Sequence, residues 1–516
     1  MVSNGSSIVD FLSVGETYGL PGEVVQRIDT HAAQIFLVNN RAYKMKRNVK
    51  YSFLDFSTSE KRRATLEAEL KLNRKTAPRL YRRLVAVTQT NLGQLELDGD
   101  GVAVEWLLEM ERFEQSKLFE NLATANELGE EQIDRLAAVV VKFHTRAEVR
   151  QSVNGYSSMA IVVADSIREL SDLSERGIVD QRLLGQIDNF TRRELSEKRS
   201  LLELRSRTGY VRRCHGDLHL GNIVELDGQP TLFDCLEFSE ELASIDTFYD
   251  IAFVLMDLCH RCRRDLAQRL LNCYLDQTLD DDGCALLPLF LAVRAIIRAK
   301  VAGFRADLAD ESKGSRGGDA EIADCRSHLK LALEFLDDSQ AELILIGGLS
   351  GTGKSTLAKH LAPLVGAAPG GVVMRSDVLR KRSFHVGIEQ KLPSAAYEPP
   401  VSEMIYDKLF DRAGRLLLAG RTVIVDATFL SDVERDRFQS FASHRPVQVT
   451  GLWLEADPSI LEKRITERLS DASDADVQVL AAQRSTYTVP TGWHRLNVEG
   501  TVEEAVDQAL SILSQH

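Results

Sequence analysis

Two groups of residues in the 516-residue chain have the types and spacing of phosphate chemistry. The first is His215-Gly216-Asp217-Leu218-His219-Leu220-Gly221-Asn222, followed by Phe233-Asp234. Phosphoryl transfer needs a carboxylate that accepts the proton of the attacking hydroxyl and a nearby amide that holds magnesium. It also needs a second carboxylate on the metal that bridges the phosphates. Asp217, Asn222 and Asp234 suit these three tasks in turn. The sequence also says why Asp234 should lie close to the loop. Asp227-Gly228 is a two-residue hairpin turn pair, and counting outward from it sets Asn222 opposite Phe233, with Asp234 next. A solvated loop carrying a chance His-Gly-Asp is the ordinary alternative. The agreement of loop, turn and second Asp favours the site.

The second group is Gly348-Leu349-Ser350-Gly351-Thr352-Gly353-Lys354-Ser355. It follows a strand-like run, Leu343-Ile344-Leu345-Ile346, and opens a helical pattern from Thr356 to Leu364, the context that a phosphate-binding loop requires. Glycines let backbone N–H groups turn toward phosphates, and the helix N-terminus adds positive potential. Gly348, Ser350, Gly351, Thr352, Gly353, Lys354, Ser355 and Thr356 form the candidate ATP-binding loop, with Lys354 on the β- and γ-phosphates and Ser355 on magnesium. Val423-Ile424-Val425-Asp426 is an apolar strand ending in a carboxylate, which suits magnesium or substrate. Val372-Val373-Met374-Arg375-Ser376-Asp377 ends likewise, and Arg380 follows on the next helix face.

The region from about residue 30 to 335, densest over 213–252, resembles the aminoglycoside phosphotransferase-like family of small-molecule kinases, which share the protein-kinase fold. The resemblance implies Asp217 as base, Asn222 and Asp234 as magnesium ligands, and His215 and His219 as loop supports. It matches Asp250 to the Asp that opens a C-lobe helix, where a role as helix cap stays equally open. Kinases of this fold also need a strand lysine on the α- and β-phosphates, paired with a helix glutamate. Lys44 is the first choice for the lysine and Lys46, on the same strand face, its competitor; Glu69 is preferred to Glu67. An ordinary surface charge is the alternative for each. No Gly-x-Gly-x-x-Gly precedes Lys44, a departure from protein kinases but not from the small-molecule branch.

Asp377 and Arg380 resemble the Asp-x-x-Arg of polynucleotide kinase-like and zeta-toxin-like P-loop kinases, where the Asp is the base toward the acceptor hydroxyl. A helix N-cap is the alternative for Asp377. Arg464 and Arg468, four apart on one helical face, match lid arginines that stabilise charge on the transferring phosphoryl. A solvated face shared with Glu462 and Glu467 is the alternative. The acidic turn 471–476 has no assigned role. The whole chain resembles bacterial two-part proteins in which an aminoglycoside phosphotransferase-like kinase is fused to an AAA-type or zeta-toxin-like ATPase.

Positioning these residues requires two architectures. Residues 1–106 read as a mixed strand-and-helix lobe, with strands at Gln34–Val38 and Arg41–Lys46 around the turn Asn39-Asn40. Ser57 and Glu60 have capping-box spacing ahead of a helix to about Lys75, and a strand follows at Gly101–Trp106. Residues 107–337 read as mainly helical, with examples at 132–149, 160–173, 183–204 and 286–304, and with a strand-like insert at 210–238. Short apolar runs separated by helices then point to a parallel sheet buried on both faces. The expectation is an α+β protein-kinase-like domain over 1–337 followed by an α/β P-loop NTPase domain over 338–516, with the boundary near Asp337-Asp338-Ser339-Gln340. Lys313-Gly314-Ser315-Arg316-Gly317-Gly318 reads as a loop.

Composition narrows the partners. The 63 basic against 76 acidic residues give a net charge of −13, which argues against a general nucleic-acid binder. No apolar run of about 18 residues marks a membrane span, and Met1-Val2-Ser3-Asn4-Gly5 lacks the start of a signal peptide. Seven cysteines, an odd count, fit free thiols in a reducing cytoplasm. Cys259-His260-Arg261-Cys262 has the look of half a metal site with no second ligand pair following, and reads instead as buried helix thiols. The expected activity is ATP- and Mg2+-dependent phosphoryl transfer to a small-molecule hydroxyl. Three readings compete with it: a regulatory P-loop half, a polynucleotide-end kinase in that half, and an AAA-type motor. The acidic residues Glu237, Glu240 and Glu241 raise a cationic acceptor as one option. The acceptor and the oligomeric state stay open.

Overall fold

The computed structural model describes residues 4–30, 32–51, 54–313, 318–336, 340–387, 389–444, 447–467 and 472–515. Its contacts form two compact units, 1–159 with 200–254, and 160–199 with 255–516. No helix among the described residues is long and apolar enough to cross a membrane.

The first unit is built on an antiparallel sheet of β1 (Gln26–Asp29), β2 (Ala33–Val38), β3 (Arg41–Lys46), β4 (Tyr81–Gln89), β5 (Leu95–Leu97) and β6 (Val102–Glu111), in the order β1-β2-β3-β6-β4-β5. Asn39, at φ +47°, makes the turn between β2 and β3. Both faces of β3 are covered, and the two-residue period sorts its side chains. Tyr43 and Met45 join a core with Phe36, Val85 and Leu107. Ala42, Lys44 and Lys46 point the other way, where Ala42 packs with Leu66 and Leu108. Leu66 lies on helix α1 (Ser59–Asn73), whose buried face is Arg62, Leu66, Glu69 and Asn73. That face explains the helix's low amphipathic signal: three of its four inward residues are polar. The cap is Thr58, which accepts from the Lys61 amide, one residue later than the expected Ser57. The Ser57 hydroxyl is spent on Asp55.

Helix α2 (Glu130–Arg146) and the short pair β7 (Val211–Arg213) with β10 (Ser244–Asp246) flank the segment His215–Asn222. Between them lies the hairpin β8 (Ile223–Leu226) and β9 (Gln229–Leu232). Its register pairs Leu226 with Gln229 and Ile223 with Leu232. The turn is Asp227-Gly228, both at positive φ, +50° and +72°, as the turn pair requires. The unit takes in the first part, to Val254, of helix α3 (Thr247–His260).

The second unit contains α4 (Arg264–Thr278), α5 (Leu287–Lys313), α6 (Asp319–Phe335) and a parallel sheet. The sheet elements are β11 (Glu342–Gly348), β12 (Val372–Arg375), β13 (Val423–Asp426), β14 (Gln448–Glu455) and β15 (His494–Asn497), in the order β12-β13-β11-β14-β15. Around it lie α7 (Lys354–Leu361), α8 (Ser376–Ser383), α9 (Pro399–Leu418), α10 (Pro458–Thr466), α11 (Val477–Thr486) and α12 (Val502–Leu513). Ile344 and Ile346 of β11 pack with α7 and α12. Leu343 and Leu345 on the other face are also fully buried, the signature of a central parallel strand. The long predicted helix 183–204 is two helices, Gln181–Glu197 and Arg199–Arg207, meeting at Lys198. Residues 314–317 of the predicted loop and 337–339 of the predicted boundary lie outside the described residues.

The edge strand β12 is not open to solvent. The side-chain amide of Asn272 on α4 accepts from the Val373 N–H at 2.7 Å and donates to the Val373 carbonyl at 3.1 Å. Gln268 donates to the Gly371 carbonyl at 2.8 Å. Side chains thus complete hydrogen bonds that an edge strand would otherwise leave to water or to another chain. Replacing Asn272 with Ala leaves the Val373 amide unpaired under α4. The expected cost is about 1–3 kcal/mol, checked as a lowered urea midpoint of the full chain; an unchanged midpoint would mean that water substitutes for the amide.

Candidate active sites

The first site begins with the hairpin. The Phe233 N–H donates to the Asn222 carbonyl at 3.1 Å, so Asn222 and Phe233 stand opposite each other as the turn count requires. Asp234 follows at φ +59°, held by its N–H to the Tyr81 hydroxyl at 3.0 Å. Asn222 Nδ2 donates to the Asp217 carboxylate at 3.0 Å and to its carbonyl at 2.9 Å. The asparagine therefore fixes both the loop backbone and the candidate base, leaving its amide oxygen as the group suited to a cation.

The loop is tied from behind. Asp250, fully buried, accepts from the backbone N–H of His215 at 3.1 Å and of Gly216 at 2.9 Å, and meets His144 Nε2 at 3.1 Å. It thereby ties down the start of the loop that carries Asp217. His215 Nε2 reaches the Phe233 carbonyl at 2.9 Å. Burial lowers the His215 pKa despite the nearby carboxylates of Asp250 and Asp217, so the ring is neutral and links the loop to the residue before Asp234. His219 Nε2 lies 3.6 Å from the Asp217 carboxylate, and its Nδ1 accepts from the Gly221 N–H.

Both lysines of β3 enter the site. Lys44 Nζ is 2.7 Å from Glu69 and 2.6 Å from Asp234. Lys46 Nζ is 2.7 Å from the other Glu69 oxygen and 2.6 Å from Glu237. Glu69 is 0% exposed, whereas Glu67 lies at the surface with Arg63. Burial opposes the charge on Lys44, but Asp234 and Glu69 outweigh it and hold its pKa above the usual lysine value. Burial likewise works on Asp234, and Lys44 and then Lys46 pull its carboxyl below the usual range. Lys44 alone touches both the helix glutamate and the candidate metal ligand. Glu237, which burial pushes up, is engaged by Lys46, and Glu240 by Arg213 and Arg150. Those two glutamates pair with the protein's own cations.

The second site follows from strand alignment. The parallel register pairs Ile346 with Asp426 and Asp426 with Arg375. The loop after β11, Asp426 and the start of α8 therefore meet at one sheet edge, where such folds bind ligands. Gly351 and Gly353 adopt φ near +85°, which frees the loop's N–H groups to face one way. Gly348 opens the loop, Ser350 and Thr352 are buried within it, and Thr356 lies exposed on the first turn of α7. Ser355 Oγ donates to Asp426 at 2.5 Å, and Arg375 lies 3.3 Å from the same carboxylate. Lys354 Nζ lies 3.0 Å from the carbonyls of Gly348 and Leu349. Hydroxyl and carboxylate at Ser355–Asp426, and carboxylate and amide at Asp234–Asn222, are hard oxygen donors that fit magnesium.

Asp377 lies in the first turn of α8, but the cap residue is Arg375, and Asp377 makes no capping bond. Burial, and then the charge of Asp426, raise its pKa, a shift found at functional carboxylates. Arg380 is buried, donates to the Ala396 carbonyl at 2.6 Å and lies over the Tyr397 ring. Arg464 donates to the Val498 carbonyl at 2.8 Å; Arg468 lies outside the described residues. Helices α10 and α11 close over the loop through Leu461, Ile465 and Leu480 against Leu349. Gln483 of α11 accepts from the Ser350 N–H at 2.9 Å. Asp474, in the acidic turn that had no assigned role, binds Lys381 at 3.0 Å and the Tyr397 hydroxyl at 2.8 Å. Sequence reasoning missed Lys46–Glu237, His144–Asp250 and the Asp474 contacts; each joins residues far apart in the chain, and no local spacing signals them.

The AAA domain family matches residues 343–490. Uncharacterized protein Rv2004c of Mycobacterium tuberculosis (strain ATCC 25618 / H37Rv) is 30% identical over 491 residues, 94% of this chain and 94% of its own length. Among solved structures, a choline kinase from Cryptosporidium parvum Iowa II covers 64% of this chain and 95% of its own, at 13% identity and a TM-score of 0.39. A gluconokinase from Sinorhizobium meliloti 1021 covers 34% and 93%, at 22% identity and a TM-score of 0.26.

Glu69 separates two buried ammonium groups, and removing its charge leaves both under-compensated. The change Glu69→Gln is expected to destabilise the protein by about 3–5 kcal/mol, read as a lowered midpoint in urea. Glu67→Gln, at the surface, should stay within about 0.5 kcal/mol of the parent. Equal effects from the two changes would contradict the burial argument.

Proposed function

We propose, from the premise that the chain belongs to the family of Uncharacterized protein Rv2004c, that it is a bifunctional ATP-dependent phosphotransferase whose two halves each phosphorylate a hydroxyl of a small molecule. The observation that carries the reading is the convergence on Lys44. One buried ammonium contacts the helix glutamate Glu69 and the candidate metal ligand Asp234, while Asp217 and Asn222 stand at the end of the same hairpin.

In the N-terminal half, taken as 1–337, Asp217 accepts the proton of the acceptor hydroxyl as its oxygen attacks the γ-phosphorus of ATP. The bond to the β-phosphate oxygen breaks and ADP leaves. Asn222 keeps the Asp217 carboxylate aimed, Asp250 and His215 hold the loop, and Lys44 neutralises the α- and β-phosphates from a position fixed by Glu69. In the C-terminal half, 338–516, the loop from Gly348 to Ser355 presents its N–H groups and Lys354 to the phosphates. Asp377 is the base, and Arg380 and the lid arginines Arg464 and Arg468 are the candidates for balancing charge. Magnesium, when bound at Asn222 and Asp234 or at Ser355 and Asp426, would neutralise charge on the β- and γ-phosphate oxygens. Positioning and charge neutralisation supply most of the rate in such transfers.

A second reading, in which the P-loop half regulates the other, has one observation behind it. Asn272 on α4, within the stretch read as kinase C-lobe, holds β12, and β12 leads directly into Asp377.

The test is a metabolite screen with γ-labelled ATP on the full chain, run for wild type, Asp217→Ala and Lys354→Ala. Loss of the general base should slow the N-terminal reaction by about 10²–10⁴-fold while ATP binding there survives, and Lys354→Ala should remove a different product. Persistence of every product in Asp217→Ala would overturn its role. A single product, changed in rate but not lost in Lys354→Ala, would select the regulatory reading.

A further inference from the structure

Two features of the sequence lie outside both nucleotide loops. In the segment Cys259-His260-Arg261-Cys262, His260 Nε2 lies 3.1 Å from Ser327 Oγ on α6. Cys262 is exposed past the end of α3, so the expectation of two buried helix thiols does not hold for it. The acidic turn, described from Ala472 onward, is anchored on both sides of Ser473. Ala472 is fully buried. The Asp474 carboxylate takes Lys381 Nζ at 3.0 Å, the Leu392 N–H at 2.9 Å and the Tyr397 hydroxyl at 2.8 Å. Lys381 is 1% exposed, so this clamp is rooted in the interior. Between the two anchors the Ser473 hydroxyl donates to the Asp377 carboxylate. Asp377 and Lys381 are four residues apart on α8 and share a face. Two consecutive turn residues therefore meet two successive positions of that face.

The contact has the form of an acceptor hydroxyl on its base. Arg375 stands opposite Asp426 in the parallel register, and Asp377 follows two residues on. The charges of Asp426 and Lys354 both act on it. The Ser473 hydroxyl thus sits on the candidate base, beside the carboxylate that bonds Ser355 and near the lysine of the phosphate-binding loop. Neighbouring hydroxyls are directed elsewhere: Ser355 donates to Asp426 and Tyr397 to Asp474. A hydroxyl tethered at its base also reacts with the advantage of an intramolecular group, because the cost of bringing acceptor and base together is met by folding.

We propose that Ser473 is a self-phosphorylation site: with ATP on the loop from Gly348 to Ser355, its hydroxyl takes the place of the small-molecule acceptor. The Oγ attacks the γ-phosphorus as its proton passes to Asp377. The bond to the β–γ bridging oxygen breaks, and a phosphoserine ester and ADP form. This rests on the P-loop half being a phosphotransferase. The test uses the full chain, treated with a phosphatase that is then removed, and given magnesium and γ-labelled ATP with no added acceptor. Mass spectrometry maps the phosphate, and calorimetry with a non-hydrolysable ATP analogue counts the nucleotide sites. Wild type should carry phosphate on Ser473, at a first-order rate independent of chain concentration. Asp377→Asn should slow the transfer by about 10²–10⁴-fold, and Lys354→Ala should abolish it. Ser473→Ala should carry no phosphate in the turn but bind the analogue as wild type does. No phosphate on Ser473 in a wild type that binds the analogue at the P-loop site, or a rate constant that rises with chain concentration, would overturn the proposal and leave the small-molecule reading of this half in place. Undiminished transfer in Asp377→Asn would also overturn it. A wild type that binds no analogue at the P-loop site would overturn both the proposal and that reading.

Discussion

One carboxylate buried between two ammonium groups organises the first site. Glu69 is sealed from solvent and meets Lys44 on one oxygen and Lys46 on the other. Each lysine then extends to a second carboxylate, Asp234 or Glu237. Isolated, any of these charges would be costly in the interior. Together they form a chain in which each charge is countered by another, and the cost of breaking it far exceeds its net worth against an apolar replacement. Such a network fixes geometry more than it adds stability. It sets the distance between α1, β3 and the residue after the hairpin.

The second site reaches a comparable arrangement by backbone geometry. Three parallel strands end in register, so a glycine loop, the Asp426 carboxylate and Asp377, whose pKa burial raises, arrive at one edge. Contacts from α11 and the acidic turn supply the remaining order: Gln483 occupies the Ser350 amide, and Asp474 ties its turn to Lys381 and Tyr397.

Much of this was legible in the sequence, and for local reasons. The Asp227-Gly228 pair determined the hairpin register because only a two-residue turn at positive φ fits there. The loop at 348–355 was legible because its glycines, lysine and serine sit in a fixed strand-to-helix context. Lys44 and Glu69 could be chosen but not separated from Lys46 and Glu67. The period of two puts both lysines on one face, and both in fact enter the network. Glu67 is separated from Glu69 only by which face of α1 is buried. The cap of α1 was misplaced by one residue because Ser57 and Thr58 are both good cap types. β15 escaped notice because its residues, His494–Asn497, are largely polar and lie at a sheet edge. The contacts of Asp250, Glu237, Asp474 and His260 depend on partners distant in sequence, which no spacing rule reports.

The central claim is that one polypeptide holds triphosphate tails in two pockets of unrelated construction. Isothermal calorimetry of the full chain with a non-hydrolysable ATP analogue and magnesium tests it directly. Two sites per chain are expected, with one removed by Lys354→Ala and the other retained. A stoichiometry of one in the wild type, unaltered by Lys354→Ala, would contradict it.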